Sequence, residues 1–251
     1  MTVPLITDAF FYAVAIPAVL LLGVSKSGFG AGFGSLAVPI MALAVTVPEA
    51  AAILMPVLFL MDVLGMAAFR RDFDLALLKF LIPCGLVGVV AGALLFKLLS
   101  AHTVAAMVGG FTLLFLAQRL LLAPNPGSAP PPKWLGALLT AMSGFTSFIA
   151  HAGGPPISAY VIPLRLSPVK FTATMAFYFF VINLAKWIPY GLLGLLDWRN
   201  MVTSLALLPL APIGVWAGVR LARRISQAWF YRFLYLGMFL TGVKLLWDGL
   251  H

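Results

Sequence analysis

Charged residues are scarce in this sequence, and cysteine is almost absent. Only 9% of the 251 residues are charged while 63% are hydrophobic, and Cys84 is the one cysteine. A soluble domain of this length carries far more charge. A single cysteine excludes an internal disulfide and a cysteine-based metal cluster. The chain also has no P-loop or dinucleotide-binding motif, which excludes ATP hydrolysis by this chain as far as motifs can exclude it.

Long apolar runs take the place of the missing charge. They are long enough to cross a hydrocarbon core of about 30 Å, which takes roughly 20 helical residues. The net charge of +9 is spread over short loops between these runs, so it indicates membrane topology and argues against a nucleic-acid partner. The sequence therefore predicts an all-α polytopic membrane protein whose surroundings are the lipid bilayer.

The chain contains an internal repeat. The segment AGALLFKLLS at 91–100 matches AGVRLARRIS at 217–226 without a gap. A Pro-rich linker, 124–133, separates a first membrane repeat, 1–123, from a second, 134–251. Each repeat is predicted to hold about five helical segments, with eight to ten transmembrane segments in total. These segments are 8–24, 34–46, 50–69, 76–97, 102–122, 134–148, 155–165, 169–192, 199–220 and 228–248.

The second segment of each repeat is too short to cross the membrane comfortably, so we expect the first two to form a broken or re-entrant pair. An odd number of effective crossings per repeat makes the two repeats inverted. With both termini outside the cytoplasmic membrane, most basic residues lie on the cytoplasmic side. Four crossings per repeat would give parallel repeats and place the 70–79 loop opposite 220–232. The inverted arrangement is the preferred one, and secondary transporters often build a substrate site where such repeats are interrupted.

The first interruption is the stretch GVSKSGFGAGFGSLAVP at 23–39. Its glycines leave backbone N–H groups unshielded, and a helix that restarts near residue 34 adds the positive end of its dipole. An oxyanion is the predicted ligand. Two alternatives stay open, namely glycines that serve helix packing and a lysine that snorkels to the cytoplasmic surface. The residues predicted to bind the anion here are Ser25, Lys26, Ser27, Gly28, Gly30, Gly32, Gly34 and Ser35.

The second interruption lies in SGFTSFIAHAGGPPISAY at 143–160. Ser147 aligns with Lys26, so one repeat brings a charge and the other brings neutral donors. His151 titrates close to neutrality and is a candidate for hydrogen-bonding the ligand, for carrying a coupling proton, or for merely capping a helix. The residues predicted to bind the anion here are Ser147, His151, Gly153, Gly154 and Pro155.

The third segments add a further pair of polar residues at membrane depth. Asp62 aligns with Asn183, which is predicted to contribute to the anion site. Asp62 is predicted to carry a proton or to pair with Lys26, and a purely structural ion pair is the alternative. Lys186 lies one turn after Asn183 on the same helical face. It is nearer the outer end of its segment, where snorkelling to the surface explains it.

These motifs resemble the sulfite exporter TauE/SafE family over essentially the whole chain. The resemblance rests on GVSKSGFGAGFGSLAVPIMAL with VPEAAAIL, on GGPPISAYVIPLRLSPVKFTATMAF, and on AG with basic residues near the end of each fourth segment. It implies an integral protein of the cytoplasmic membrane that moves small sulfur-containing anions such as sulfite or organosulfonates, mainly outward. The family motif maps onto Lys26, Gly28, Gly30, Gly32, Gly34, Pro39, Gly153, Gly154 and Pro155.

The predicted function is therefore a secondary transporter that exports such anions, with protons as a candidate coupling ion. A passive anion channel and an importer of a related carboxylate or sulfur oxyanion are the alternatives. An enzyme is not expected, because Ser147 and His151 stand four residues apart without a nucleophile-elbow or rhomboid-like motif. Asp62 likewise has no second carboxylate with which to form a catalytic pair. No cofactor or metal is expected, and the sequence leaves the oligomeric state open.

Overall fold

A computed structural model describes residues 5–29, 34–96, 98, 100–121 and 131–250, and within them every regular element is helical. Two short 3₁₀ turns, Gly34–Leu36 and Ile162–Leu164, accompany the α-helices. The α-helices of the described residues are α1 (Ala9–Gly28), α2 (Ala37–Met41), α3 (Val47–Ala68), α4 (Leu75–Leu95), α5 (Ala101–Leu121), α6 (Lys133–Ala150), α7 (Gly154–Val161), α8 (Pro168–Leu192), α9 (Trp198–Leu207), α10 (Leu210–Arg224) and α11 (Gln227–Leu250).

The long helices have the length and composition of membrane spans. Within the described residues five qualify, α1, α3, α4, α8 and α11, and a sixth is added if α9 and α10 count as one bent span. Large apolar side chains such as Leu94 and Trp216 stay exposed on these helices, as a lipid-facing surface requires. The predicted all-α membrane protein is therefore confirmed, whereas the number of eight to ten crossings stays a prediction.

Capping residues set where several helices begin. Thr46 and Glu49 form a reciprocal capping box at the start of α3. The side chain of Asp74 accepts a hydrogen bond from the Leu77 N–H at 3.0 Å and starts α4. These polar caps interrupt the apolar runs and mark where α3 and α4 begin.

The short second segments cannot cross the membrane by themselves. Helix α2 has five residues and α7 has eight, which at 1.5 Å per residue gives about 8 Å and 12 Å against a core of about 30 Å. Each follows a break after a long helix, α1 in the first case and α6 in the second. The predicted linker 124–133 lies mostly outside the described residues, and α6 begins at Lys133.

The predicted segment 199–220 differs from the structure, because it is two helices bent by 50°. Pro209 and Pro212 lie within one turn of each other at this bend, and each removes a backbone N–H and crowds the preceding turn. The corresponding α4 contains Pro83 and continues unbroken from Leu75 to Leu95. A second proline within one turn accounts for the break.

Glycines bring the long helices into close contact. A Cβ atom on Gly23 of α1 would lie 2.8 Å from the Cα of Gly214 in α10, and one on Gly28 would lie 3.1 Å from the carbonyl oxygen of Gly218. Helix α6 packs on α4 through Gly144 and Gly85 in the same way. Helix packing therefore accounts for Gly28. Helices α3 and α8 pack against each other between these pairs.

Candidate functional site

The two helix breaks meet at a cavity of about 40 Å³. Both halves of the chain line it, and seven of the residues predicted to form the site are among its walls. Those seven are Ser25, Lys26, Gly34, Ser147, His151, Gly154 and Asn183, and Leu22, Leu58 and Phe179 complete the lining. The cavity walls therefore combine polar groups with apolar side chains.

Helix α1 continues further than the sequence suggested. It ends at Gly28, and the N–H of Phe29 bonds to the Ser25 carbonyl at 2.8 Å. Residues 25–28 therefore occupy the last helical turn, where successive side chains point in different directions. Ser25 and Lys26 face the cavity, whereas Ser27 and Gly28 do not line it.

The chain restarts as a 3₁₀ turn at Gly34, as the sequence predicted, and α2 begins at Ala37. The carbonyl of Gly28 accepts a hydrogen bond from Thr172 Oγ1 at 3.3 Å, which ties the end of α1 to α8. Gly30, Gly32 and the side chain of Ser35 lie outside the described parts of the structure. Their predicted contacts with an anion stay predictions.

The second break is held by side-chain bonds to its own backbone. Helix α6 ends at Ala150, and its C-cap residue His151 has a left-handed φ of 50°. Ser143 Oγ donates to the Gly153 carbonyl at 2.6 Å. A Cβ on Gly153 would lie 2.6 Å from the Ser143 carbonyl oxygen, so only glycine fits there. Pro155, in the first turn of α7, lacks only an N–H that a helix start leaves unused, and like Gly153 it does not line the cavity.

Lys26 and Asp62 form a buried ion pair beside the cavity. Their Nζ and Oδ1 atoms are 2.5 Å apart, and the side chains are 8% and 0% exposed. Asn183 Nδ2 donates to the other oxygen of Asp62 at 2.7 Å. These exposures exclude the alternative in which Lys26 snorkels to the surface. Apart from this ion pair, Lys26 Nζ has no hydrogen bond within the described residues, so its remaining donors are uncommitted there.

Lys186 is a second buried lysine, and snorkelling is the wrong explanation for it. It is fully buried, and its Nζ donates to the Ser147 carbonyl at 3.0 Å and to Ser147 Oγ at 3.1 Å. A third contact, at 2.8 Å, joins Nζ to His151 Nδ1. The helical spacing of Lys186 from Asn183 was the signal for this position, because both lie on one face of α8.

Both ring nitrogens of His151 are engaged. Nε2 lies 3.0 Å from the Ala51 carbonyl oxygen, which can only accept, so Nε2 carries a hydrogen. Nδ1 faces Lys186, and the ring stacks on Tyr190 at a centroid distance of 6.2 Å. His151 and Ser147 are therefore joined through the lysine, and the imidazole has no ring nitrogen to spare as a base for the serine hydroxyl.

The cluster carries more positive than negative charge. Asp62 is the only buried one among the chain's seven carboxylates, whereas Lys26 and Lys186 are both buried. If both lysines are protonated, two ammonium groups against one carboxylate leave an excess of one positive charge. Buried charges are costly unless they are compensated, so an anion in the adjacent cavity would complete the balance.

A helical bundle with broken helices meeting at a buried, positively charged cavity defines a class of multi-pass membrane transport proteins. The family model of the sulfite exporter TauE/SafE matches residues 15–245. The chain belongs to this family, whose members are membrane transporters of sulfite and related anions. No curated protein and no solved structure matches the chain.

Proposed function

We propose that this chain is a secondary transporter that exports small sulfur-containing anions, such as sulfite or an organosulfonate, across the cytoplasmic membrane. The anion binds in the central cavity, where Lys26 supplies the charge and Ser147 supplies a hydroxyl donor. The observation that carries the proposal is the unbalanced positive charge of two buried lysines beside one aspartate. The Asp62 carboxylate competes with the anion for Lys26.

The size of the cavity supports a small anion. A buried water needs about 10–15 Å³ of space, so a cavity of about 40 Å³ holds three or four non-hydrogen atoms. Sulfite has four such atoms. An organosulfonate is larger, so the breaks before α2 and α7 would have to widen, least of all for methanesulfonate, which has one non-hydrogen atom more than sulfite.

The packing of the helices supports two structural repeats, and the distribution of the basic residues favours inverted repeats with both termini outside. Under the predicted alignment α1 corresponds to α6, and α4 corresponds to the α9–α10 pair. The contact of α1 with α10 then has its counterpart in the contact of α6 with α4, while α3 packs on its own counterpart α8 and α5 on α11. Rocking of one repeat against the other would expose the cavity alternately to each side.

The near-complete burial of the ion pair favours a transporter over an open channel. A channel conducts through a continuous aqueous path, whereas Lys26 and Asp62 are almost inaccessible. The chain has no nucleotide-binding motif, so the membrane potential, the proton gradient or the anion gradient drives transport. Accumulation of anion against an imposed pH gradient in proteoliposomes would separate a coupled transporter from a channel.

The decisive variant is Lys26→Gln, tested by sulfite flux from proteoliposomes. Removing one partner of a buried charge contact costs at least about 2 kcal/mol, so we expect flux at low sulfite to fall about thirtyfold or more. Lys170→Gln is the matched control, because Lys170 is half exposed and pairs with Asp74 at the surface. Flux at the wild-type level in Lys26→Gln would refute the anion site.

A further inference from the structure

The contact between Lys186 and His151 joins two basic nitrogens at 2.8 Å. A hydrogen bond needs one donor and one acceptor, so at least one of Nζ and Nδ1 keeps its lone pair. Three states fit the contact: a charged lysine beside a neutral imidazole, a charged imidazole beside a neutral amine, and a neutral amine that donates to a neutral imidazole. In every one of them this Lys186–His151 pair binds at least one proton fewer than its maximum.

The remaining hydrogen bonds show how a further proton would be accommodated. His151 Nε2 is committed to the Ala51 carbonyl, so a new proton can go only to Nδ1 or to the lysine. Two N–H groups would then face each other, and the contact would open. Lys186 would keep its bonds to the carbonyl and hydroxyl of Ser147, both of which are acceptors. The pair can therefore take one proton from water without losing its other partners.

Charged neighbours decide when that proton binds. Helix α1 brings Lys26, whose ammonium disfavours more positive charge, and α3 brings Asp62, which is already paired with Lys26. Tyr190 of α8 lies against the imidazole but donates its hydroxyl to the Phe148 carbonyl. Arg223 of α10 bonds to Asp72 at the surface.

We propose that the Lys186–His151 pair is the proton-linked part of the site and takes up one proton when an anion enters the cavity. This inference rests on the proposed anion site. His151 lines the cavity and Lys186 lies directly behind it, so the negative charge of the anion compensates the added positive charge. Linkage is reciprocal, and a lower pH therefore strengthens anion binding. Lys186 acts as a positioning residue, because it does not line the cavity.

Calorimetry of the purified protein in detergent tests this linkage. Methanesulfonate is the probe because its own charge does not change near neutral pH, and titrations in two buffers of different ionisation enthalpy count the protons taken up. We expect about one proton per anion, and a Kd that rises roughly tenfold per pH unit on the alkaline side of the transition. A proton count of zero in the wild-type protein would overturn the inference without the need for any variant.

Variants assign the proton to the pair. Lys186→Met should bind methanesulfonate more weakly and with no proton uptake. His151→Gln should also lose the proton uptake, and it provides the test if Lys186→Met does not fold. Lys170→Met, in the same helix but at the surface, should keep the wild-type proton count. Unchanged uptake in Lys186→Met and His151→Gln would refute the assignment.

The same titrations separate this inference from the proposed function. If Lys26→Gln abolishes binding but the wild-type protein takes up no proton, the anion site stands and the proton linkage fails. If neither methanesulfonate nor sulfite binds the wild-type protein, the proposed function itself fails.

Discussion

Replacing Asp62 by asparagine keeps the shape of the side chain and removes the only buried carboxylate. An asparagine can still accept from Lys26 and can still bond to Asn183. What disappears is the negative charge that compensates the Lys26 ammonium at 2.5 Å. The variant therefore measures how strongly the cluster needs an anion.

The expected magnitude follows from the geometry. At 2.5 Å two unit charges attract by about 7 kcal/mol at an effective dielectric constant of about 20. Dehydration of both groups offsets part of this, and breaking a buried pair from one side typically costs about 3–5 kcal/mol. For a chain of this size 1 kcal/mol corresponds to roughly 2–4 °C in the midpoint of thermal unfolding. Asp62→Asn should therefore unfold roughly 6–20 °C below the wild-type protein.

An added anion should rescue this variant. In the wild-type protein Asp62 competes with the anion for Lys26, whereas in Asp62→Asn the anion supplies the missing charge. Saturating sulfite should therefore raise the unfolding temperature more in the variant than in the wild type, and a concentration of about a hundred times Kd adds about 2.7 kcal/mol by itself. Tryptophan fluorescence in detergent, with and without sulfite, gives the measurement, because the chain has six tryptophans.

Two further proteins sharpen the interpretation. Asp72→Asn is the control, since Asp72 pairs with Arg223 at 3.4 Å on a partly exposed surface and should cost no more than about 1 kcal/mol. The combined variant Lys26→Met and Asp62→Leu removes both charges and should regain most of the lost stability but show no response to sulfite. A loss below about 1 kcal/mol in Asp62→Asn, or equal stabilisation of all these proteins by sulfite, would refute the reasoning.

Two other substitutions test the packing and the charge of the site. Gly23→Val places its Cβ 2.8 Å from the Gly214 backbone, so α1 and α10 must separate. We expect the free energy of unfolding, measured by thermal unfolding, to fall by about 1–3 kcal/mol. The control Gly110→Ala meets nothing within 4 Å, so its stability should be unchanged or higher. Asn183→Asp adds a carboxyl group next to Asp62. As this group ionises with rising pH, its negative charge cancels the excess positive charge. The anion affinity at neutral pH, measured by calorimetry, should therefore fall by at least about tenfold. Wild-type affinity at every pH would contradict the role assigned to that excess.

The helices and their breaks could be predicted from the sequence because hydropathy and helix-breaking residues act locally. The interruption near Gly34 and the one at Gly153 follow from the residues that stand there. Which side chains face the cavity is not a local property. Ser27 was predicted to bind the anion, yet helix α1 persists through this residue and turns it away from the cavity.

The role of Lys186 was beyond prediction for a similar reason. Its distance from the surface depends on how α8 is rotated against α6, which is set by tertiary contacts such as the bond from Tyr190 to the Phe148 carbonyl. The bend between α9 and α10 depends on how two prolines combine within a turn, and one proline in α4 leaves that helix continuous. Local patterns gave the positions of the breaks, and packing decided what they enclose.

The predicted alignment of the two halves explains why the charge of the cluster does not balance. An offset of 121 residues pairs Lys26 with Ser147, Asp62 with Asn183 and Gly65 with Lys186. The second lysine therefore sits on the third segment of its half, yet its Nζ reaches Ser147, the counterpart of Lys26. Each half thus delivers one ammonium group to the equivalent place, but only the first half delivers a carboxylate. An amide at Asn183 supports Asp62 with a hydrogen bond without cancelling the remaining charge, which is the charge that the proposed anion would compensate.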